Sequence, residues 1–290
     1  MSLTPAIKNS LFLLIGVVFV LIITPTLFPK SYYEPTGLTY APPSWQHPCG
    51  TDLNGRDLLY RILTGGQISI LIGCCGAFIS LFVGTTYGMI AGYRGGFLDS
   101  GMTRFIDILY SIPRLIFVLI FINAFNEHLQ KTAHHFGYSW IVSSSRIIIL
   151  ILSLGLIEWL TMARIVRGQT LSLKERPYIL AARVLGQNHL TILWRHLLPN
   201  LTGILLVYMT LSIPAVIIDE AFLSFLGLGV QAPQASLGSL LAEGASALNP
   251  LHSAWWTLLF PALLLFCILL LLHQLGNALR KIRLYPHVSY

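Results

Sequence analysis

RIVRGQTLSLKERPYILAARVLGQNHLTILWRHLLPN, Arg164 to Asn200, is polar and helically patterned at once, yet it lies between two apolar runs. Pro177 is placed to open a helix, where its missing N–H is no loss. Tyr178, Ala181, Ala182 and Leu185 then follow the i, i+3, i+4, i+7 rule of one helix face. Gly186 interrupts the pattern. A second stripe, Leu190, Leu193, Trp194 and Leu197, repeats the rule as far as Pro199. The spacing predicts two short amphipathic helices joined at a glycine. Such a pair has three uses: to rest on a lipid surface, to cap a helix bundle, or to dock in another protein's groove.

Outward from this segment the chain holds six apolar stretches, near residues 10–28, 68–92, 105–125, 147–163, 201–223 and 256–273. A helical membrane span takes about 20 apolar residues. Of 290 residues, 55% are hydrophobic and 10% charged, where a soluble domain carries about 25% charged residues; mean hydropathy is +0.72. This excludes a disordered or nucleic-acid-binding chain and argues against a soluble enzyme. The expected fold class is all-α, a polytopic membrane protein of six transmembrane helices. The run from Leu11 to Ile23 resembles a signal peptide, but Thr24-Pro25-Thr26 offers no cleavage site of the A-x-A kind, so it reads as an uncleaved first span. Cys49, Cys74, Cys75 and Cys267 have no metal spacing and read as small hydrophobes.

The net charge of +7 follows from orientation. With the N-terminus inside, twelve of the 18 Lys and Arg residues fall on the cytoplasmic side and five outside, with Arg114 inside a span. The bias places both termini, and the Arg164–Asn200 segment, in the cytoplasm. Pro29 to about Gly66 and Asn126 to Arg146 then read as external connections, the second irregular, and Leu226 to Ala254 as a loop before the last span. Gly84, Gly88 and Gly92 recur at four-residue spacing, a small-residue stripe on which another helix packs closely. Pro113, Pro214 and Pro261 fall inside apolar runs and are expected to kink them.

Catalytic signatures are missing from the sequence. There is no GxxxxGK[ST], no HExxH and no GxSxG, and the His134-His135 pair has no third ligand at metal spacing. Ionisable residues at membrane depth are functional candidates instead: Asp107, Arg114, Glu158, Asp219 and Glu220. Counted at about 1.5 Å per residue from Arg104, Arg114 lies roughly 15 Å in, near the midplane. Two readings stand: Arg114 faces a pore and attracts a carboxylate, or it pairs with an acid or carbonyl of a neighbouring helix. Asp107, nearer the cytoplasmic end, is the second pore-lining candidate, although bundle packing accounts for it and for Glu158.

YILAARVLGQNHLTILWRHLLPN resembles the EAA loop of ABC importer permeases in Ala181, Ala182, Gly186, Leu198 and Pro199. GTDLNGRDLLYRILTGGQISI (Gly50 to Ile70), AGYRGGFLD (Ala91 to Asp99), RFIDILYSIP (Arg104 to Pro113), EAFLSFLGLG (Glu220 to Gly229) and Trp255-Trp256 follow the same order as in the C-type permease subunit of the dipeptide/oligopeptide/nickel importers. The resemblance covers nearly the whole chain from Gly50. Leu180 departs from it, standing where the loop's name-giving Glu often sits. The tail HQLGNALRKI also departs, and residues 126–146 look like an insertion, which is either a binding-protein contact or a lineage-specific ornament.

The resemblance implies a type I ABC importer permease fold, with a first helix and external loop over 1–66, a permease domain over 67–290 and the EAA loop at about 175–200. It implies that Tyr178, Ala181, Ala182, Arg183, Leu185 and Gly186 couple the chain to an ATPase, and that Glu220 has a structural role at an outer gate. The implied partners are a homologous permease, two ATP-binding subunits, an extracytoplasmic solute-binding protein and lipid, with no nucleic acid. No cofactor or metal is expected on this chain; ATP and Mg belong to the partner subunits. The implied function is a half-channel for di- or oligopeptides in a bacterial inner membrane, and not an enzyme. A nickel-importing member of the same family is the alternative. A proton-coupled secondary transporter and a non-transport membrane scaffold are readings from other classes.

Overall fold

The computed structural model describes residues 12, 13, 15–21, 23, 37–232, 234–249 and 252–284. Of the first expected span, near 10–28, residues 12, 13, 15–21 and 23 are described and helical, and the others lie outside the described residues. Helix α1, Leu58–Arg94, opens where the Asp57 carboxylate accepts the Leu59 N–H at 2.9 Å and ends at Gly95, φ 67°. Helix α2, Gly96–Ser111, and helix α3, Arg114–His135, follow. Helix α4 spans Ser139–Leu173, the short α5 Pro177–Val184, and α6 His189–Phe225. Helix α7, Leu237–Ala247, and helix α8, Trp256–Leu284, complete the series. Among the described residues the architecture is all-helical apart from a two-residue antiparallel pairing of Leu248–Asn249 with His252–Ser253 and a single bridge between Thr51 and Asp57. Among the described residues four helices are long and apolar enough to cross a membrane, and the α2–α3 pair makes a fifth if counted as one span.

Three expectations are corrected. The run near 105–125 is not one kinked helix: α2 and α3 meet at 88°. Pro113 has no N–H and forces the preceding residue out of the helical region, and Ile112 is extended at φ −82°, ψ 125°. Residues 126–146 are not irregular either. α3 continues to His135, Gly137 turns the chain at φ 74°, and α4 starts at Ser139. Hydropathy marks where the apolar run ends, while Glu127 and Lys131, an i, i+4 pair, carry the helix on in polar residues.

The third correction concerns the stripe from Leu190 to Leu197, which is the first part of α6 rather than a separate helix. A π-helical turn, Ile192–Leu197, stands just before Pro199. Proline removes one backbone donor and crowds the carbonyl four residues back, and the wider turn accommodates both. The Leu226–Ala254 segment, in turn, contains α7, opened by a capping box between Ser236 and Ser239.

Packing follows the small residues. A Cβ on Gly84 would lie 2.6 Å from the Met162 Cβ, and one on Gly92 2.8 Å from the Arg167 carbonyl oxygen, so α1 and α4 run backbone to backbone along this seam. At one end Leu58, Ile62, Leu237 and Ile268 bind the start of α1 to α7 and α8. In the middle Ile72, Val118, Leu150 and Val216 join α1, α3, α4 and α6. At the other end Tyr93, Val166, Ile179 and Ile192 hold α5 beneath the ends of α1, α4 and α6.

Candidate functional site

Helix α5 is two turns long and is anchored by only two of its side chains, Ile179 and Ala182, both buried. Everything else on it faces outward: Tyr178, Leu180, Ala181 and Arg183 are exposed, and Val184 and Leu185 keep 88% and 79% of their surface. The face expected from periodicity therefore splits. Ala182 goes into the core, while Tyr178, Ala181 and Leu185 stay outside. The helix ends in a Schellman motif, with the Gly186 N–H on the Arg183 carbonyl at 3.0 Å and the Gln187 N–H on the Ala182 carbonyl at 3.1 Å. That motif needs a left-handed residue, and Gly186 supplies it at φ +75°.

The joint between α5 and α6 is pinned to the end of α1. Tyr93, buried there, shares a hydrogen bond of 2.9 Å between its hydroxyl and His189 Nδ1. The Arg183 guanidinium lies 4.7 Å from the Tyr93 ring centroid. Next to this joint the Lys174 ammonium donates to the Gly92 carbonyl at 3.0 Å. Arg167 holds Asp99 with two parallel bonds of 2.5 and 2.8 Å. Helix α5 is thus held to α1 through Arg183 and Tyr93 and to α4 and α6 through the core around Val166 and Ile192.

Arg114 is the first residue of α3, so the straight-helix depth count from Arg104 does not hold across the 88° break. Its Nη2 donates to Glu158 Oε2 at 2.8 Å and to Asp219 Oδ2 at 2.6 Å, bringing α3, α4 and α6 together. Asp107 belongs to a different pair, with Arg164 at 2.6 Å, and that arginine also lies 4.0 Å from the Tyr110 ring centroid. The two expected pore-lining residues are therefore not neighbours in one site. Glu220 is fully buried and accepts hydrogen bonds from Ser69 at 2.8 Å and Ser224 at 2.7 Å, linking α1 to the last turns of α6. Among the described residues no group of three or more His, Cys, Asp or Glu side chains is placed to hold a metal.

One cluster escaped the sequence reading. Arg61, 4% exposed, donates to Asp52 at 2.6 Å and to Glu243 at 2.5 and 2.9 Å, tying the loop before α1 to α7. The sequence showed Arg61 only as a charge in the external Pro29–Gly66 connection and a letter of the Gly50–Ile70 motif, and Glu243 follows it by 182 residues.

Residues 84–282 match the family described as "Binding-protein-dependent transport system inner membrane component". The chain is 39% identical over 274 residues to the oligopeptide transport system permease protein OppC of Haemophilus influenzae, covering 93% of this chain and 81% of that one. It is 38% identical over 272 residues to the dipeptide transport system permease protein DppC of Bacillus subtilis, covering 93% and 78%. With OppC of Escherichia coli K12 it shares 39% over 234 residues, or 81% and 70% of the two chains. Helices long and apolar enough to cross a membrane, a short amphipathic helix between two of them and a family match over more than half its length lead to one conclusion: the chain belongs to the inner membrane components of binding-protein-dependent transport systems, the permeases of ABC importers.

Proposed function

We propose that this chain forms half of the translocation channel of an ATP-driven importer for di- or oligopeptides, with both termini in the cytoplasm. The observation that carries the coupling part is α5, anchored by Ile179 and Ala182 and leaving Tyr178, Val184 and Leu185 uncovered. Apolar side chains at such exposure on a two-turn helix suit a groove in another protein. Lacking a GxxxxGK[ST] of its own, the chain takes its energy from two ATP-binding partners; a homologous permease completes the channel, and an extracytoplasmic binding protein delivers the solute. The names of the relatives, oligopeptide and dipeptide permeases, support peptide over nickel.

The mechanism is mechanical. Closure of the ATP-bound partners displaces α5, and the Tyr93–His189–Arg183 joint passes that displacement to α1 and α6. The bundle is a two-state element biased by a ligand held on another chain. The test is uptake of radiolabelled trialanine into proteoliposomes holding the intact complex and its binding protein. The expected result is uptake that needs ATP and ignores an imposed proton gradient. Uptake driven by the gradient alone would establish the secondary transporter instead, and nickel uptake without peptide uptake would establish the nickel importer.

A further inference from the structure

The Arg114 cluster has one base for two acids. Arg114 is the single cation in ion-pair contact with Glu158 and with Asp219 among the described residues. The amino end of α3 adds about half an elementary charge of positive potential nearby, which still leaves the carboxylates in excess. Beyond its contact with Arg114, Asp219 makes no other hydrogen bond among the described residues. The second oxygen of Glu158 has only the Ser212 hydroxyl, at 3.4 Å. The acids therefore retain acceptor capacity that the protein leaves unused.

The cluster is also open. The Arg114 side chain is 45% exposed and that of Asp219 25%; Asp219 and Glu158 stand on helices long and apolar enough to cross a membrane, and Arg114 opens the second half of the bent α2–α3 pair between them. Charges on membrane-crossing helices face a water-filled path or another protein, since hydrocarbon is too costly a neighbour. Beside Glu158 lies a cavity of about 200 Å³ lined by Thr161, Met162, Ile165, Tyr208, Leu211 and Ser212. Its wall is mainly apolar, with the hydroxyls of Thr161, Tyr208 and Ser212 among the lining residues, which suits a short peptide with small side chains.

We propose that Arg114, Glu158 and Asp219 form a subsite in the translocation path for the α-ammonium group of the passing peptide. Asp219 and Glu158 accept its N–H donors, and Arg114 holds the two carboxylates together between transport cycles. The inference rests on the peptide reading above and deepens it. A channel that passes many sequences gains from reading the one cation every peptide shares, and the excess of acid selects that end over the carboxylate. This reverses the chemistry that Arg114 alone suggests.

The experiment uses the intact complex with its binding protein in proteoliposomes and two photoreactive tripeptides. One is 4-benzoylphenylalanine–Ala–Ala with its ammonium free; the other is Ala–Ala–4-benzoylphenylalanine with its carboxylate free. Both are irradiated during ATP-driven uptake, and the labelled positions are mapped by mass spectrometry. The first probe is expected to label the segments around Thr161–Met162 and Tyr208–Ser212, and the second to label them far less. Asp219→Asn is expected to lower both this labelling and the maximal uptake rate per assembled complex about tenfold, as for loss of a hydrogen bond to a charged group. Asp219→Glu, which keeps the charge, is expected to recover most of the loss, separating the subsite from a folding defect. Equal labelling by both probes, stronger labelling by the second, no labelling of these segments, or an Asp219→Asn complex equal to the parent would overturn the subsite. In each of those cases peptide uptake by the parent complex leaves the importer reading intact. A parent complex that takes up no peptide overturns both.

Discussion

Gly88 has no room for a methyl group. A Cβ there would lie 2.5 Å from the Ala163 carbonyl oxygen and 2.8 Å from the Val166 Cβ. Gly88→Ala is expected to destabilise the α1–α4 seam by about 1–3 kcal/mol, as overpacking does, and thermal melting of the purified complex reads it as a lower Tm. Gly186 presents the opposite case, with open space around it but φ +75°. Gly186→Ala is expected to strain the end of α5 by at most about 1–2 kcal/mol, part of it released by local unwinding of that end, so Tm falls less than in Gly88→Ala while transport per ATP falls. Arg61 gives a third test. Arg61→Leu leaves Asp52 buried without its cation, a change that costs about 3–5 kcal/mol, and faster proteolysis of residues 37–57 in intact membranes would report it. At this scale the glycine seam was legible because small-residue spacing survives in one dimension. Glu243 as a partner of Arg61, and both partners of Arg114, were not, because ion pairs 44 to 182 residues apart are set by the fold.

Elements were legible where hydropathy changes and hidden where only backbone geometry does. Pro113 announced a kink, but its size depends on how α2 and α3 pack, and the 88° turn separates the helices outright. Helix α7 and the extension of α3 to His135 lie in polar or mixed sequence, where an apolar-run count sees only loop. α5 was found from its period and from Pro177, yet periodicity did not tell which of its side chains would be covered by this chain and which left uncovered. That division makes a prediction. Ala181 is exposed and outside the core, so Ala181→Trp is expected to leave membrane insertion intact while uncoupling ATP hydrolysis from uptake. Tyr93 tests the joint from within. Tyr93→Phe removes the bond to His189 but keeps the ring beside Arg183; transport per ATP is expected to fall, and to fall further in Tyr93→Leu. Equal ratios in all three proteins would remove Tyr93 from the transmission path.

The whole molecule exposes apolar side chains that a free-standing bundle would cover. Phe78, Phe97, Ile108, Ile120 and Phe266 are each more than half exposed, as expected of a chain surrounded by lipid and, in the proposed complex, a second permease. Val184 and Leu185 are exposed at the far end from α7, where neither lipid nor this chain covers them in the proposed orientation. The central claim is that they seat in an ATP-binding partner. The direct measurement is quantitative mass spectrometry of what accompanies the tagged chain from its own membranes in gentle detergent, comparing the parent with Leu185→Asp. The account predicts a homologous permease in both preparations, and ATP-binding subunits in the parent that are lost from the variant. ATP-binding subunits retained at parental level in Leu185→Asp, or a parent chain that comes out folded and alone, would contradict it.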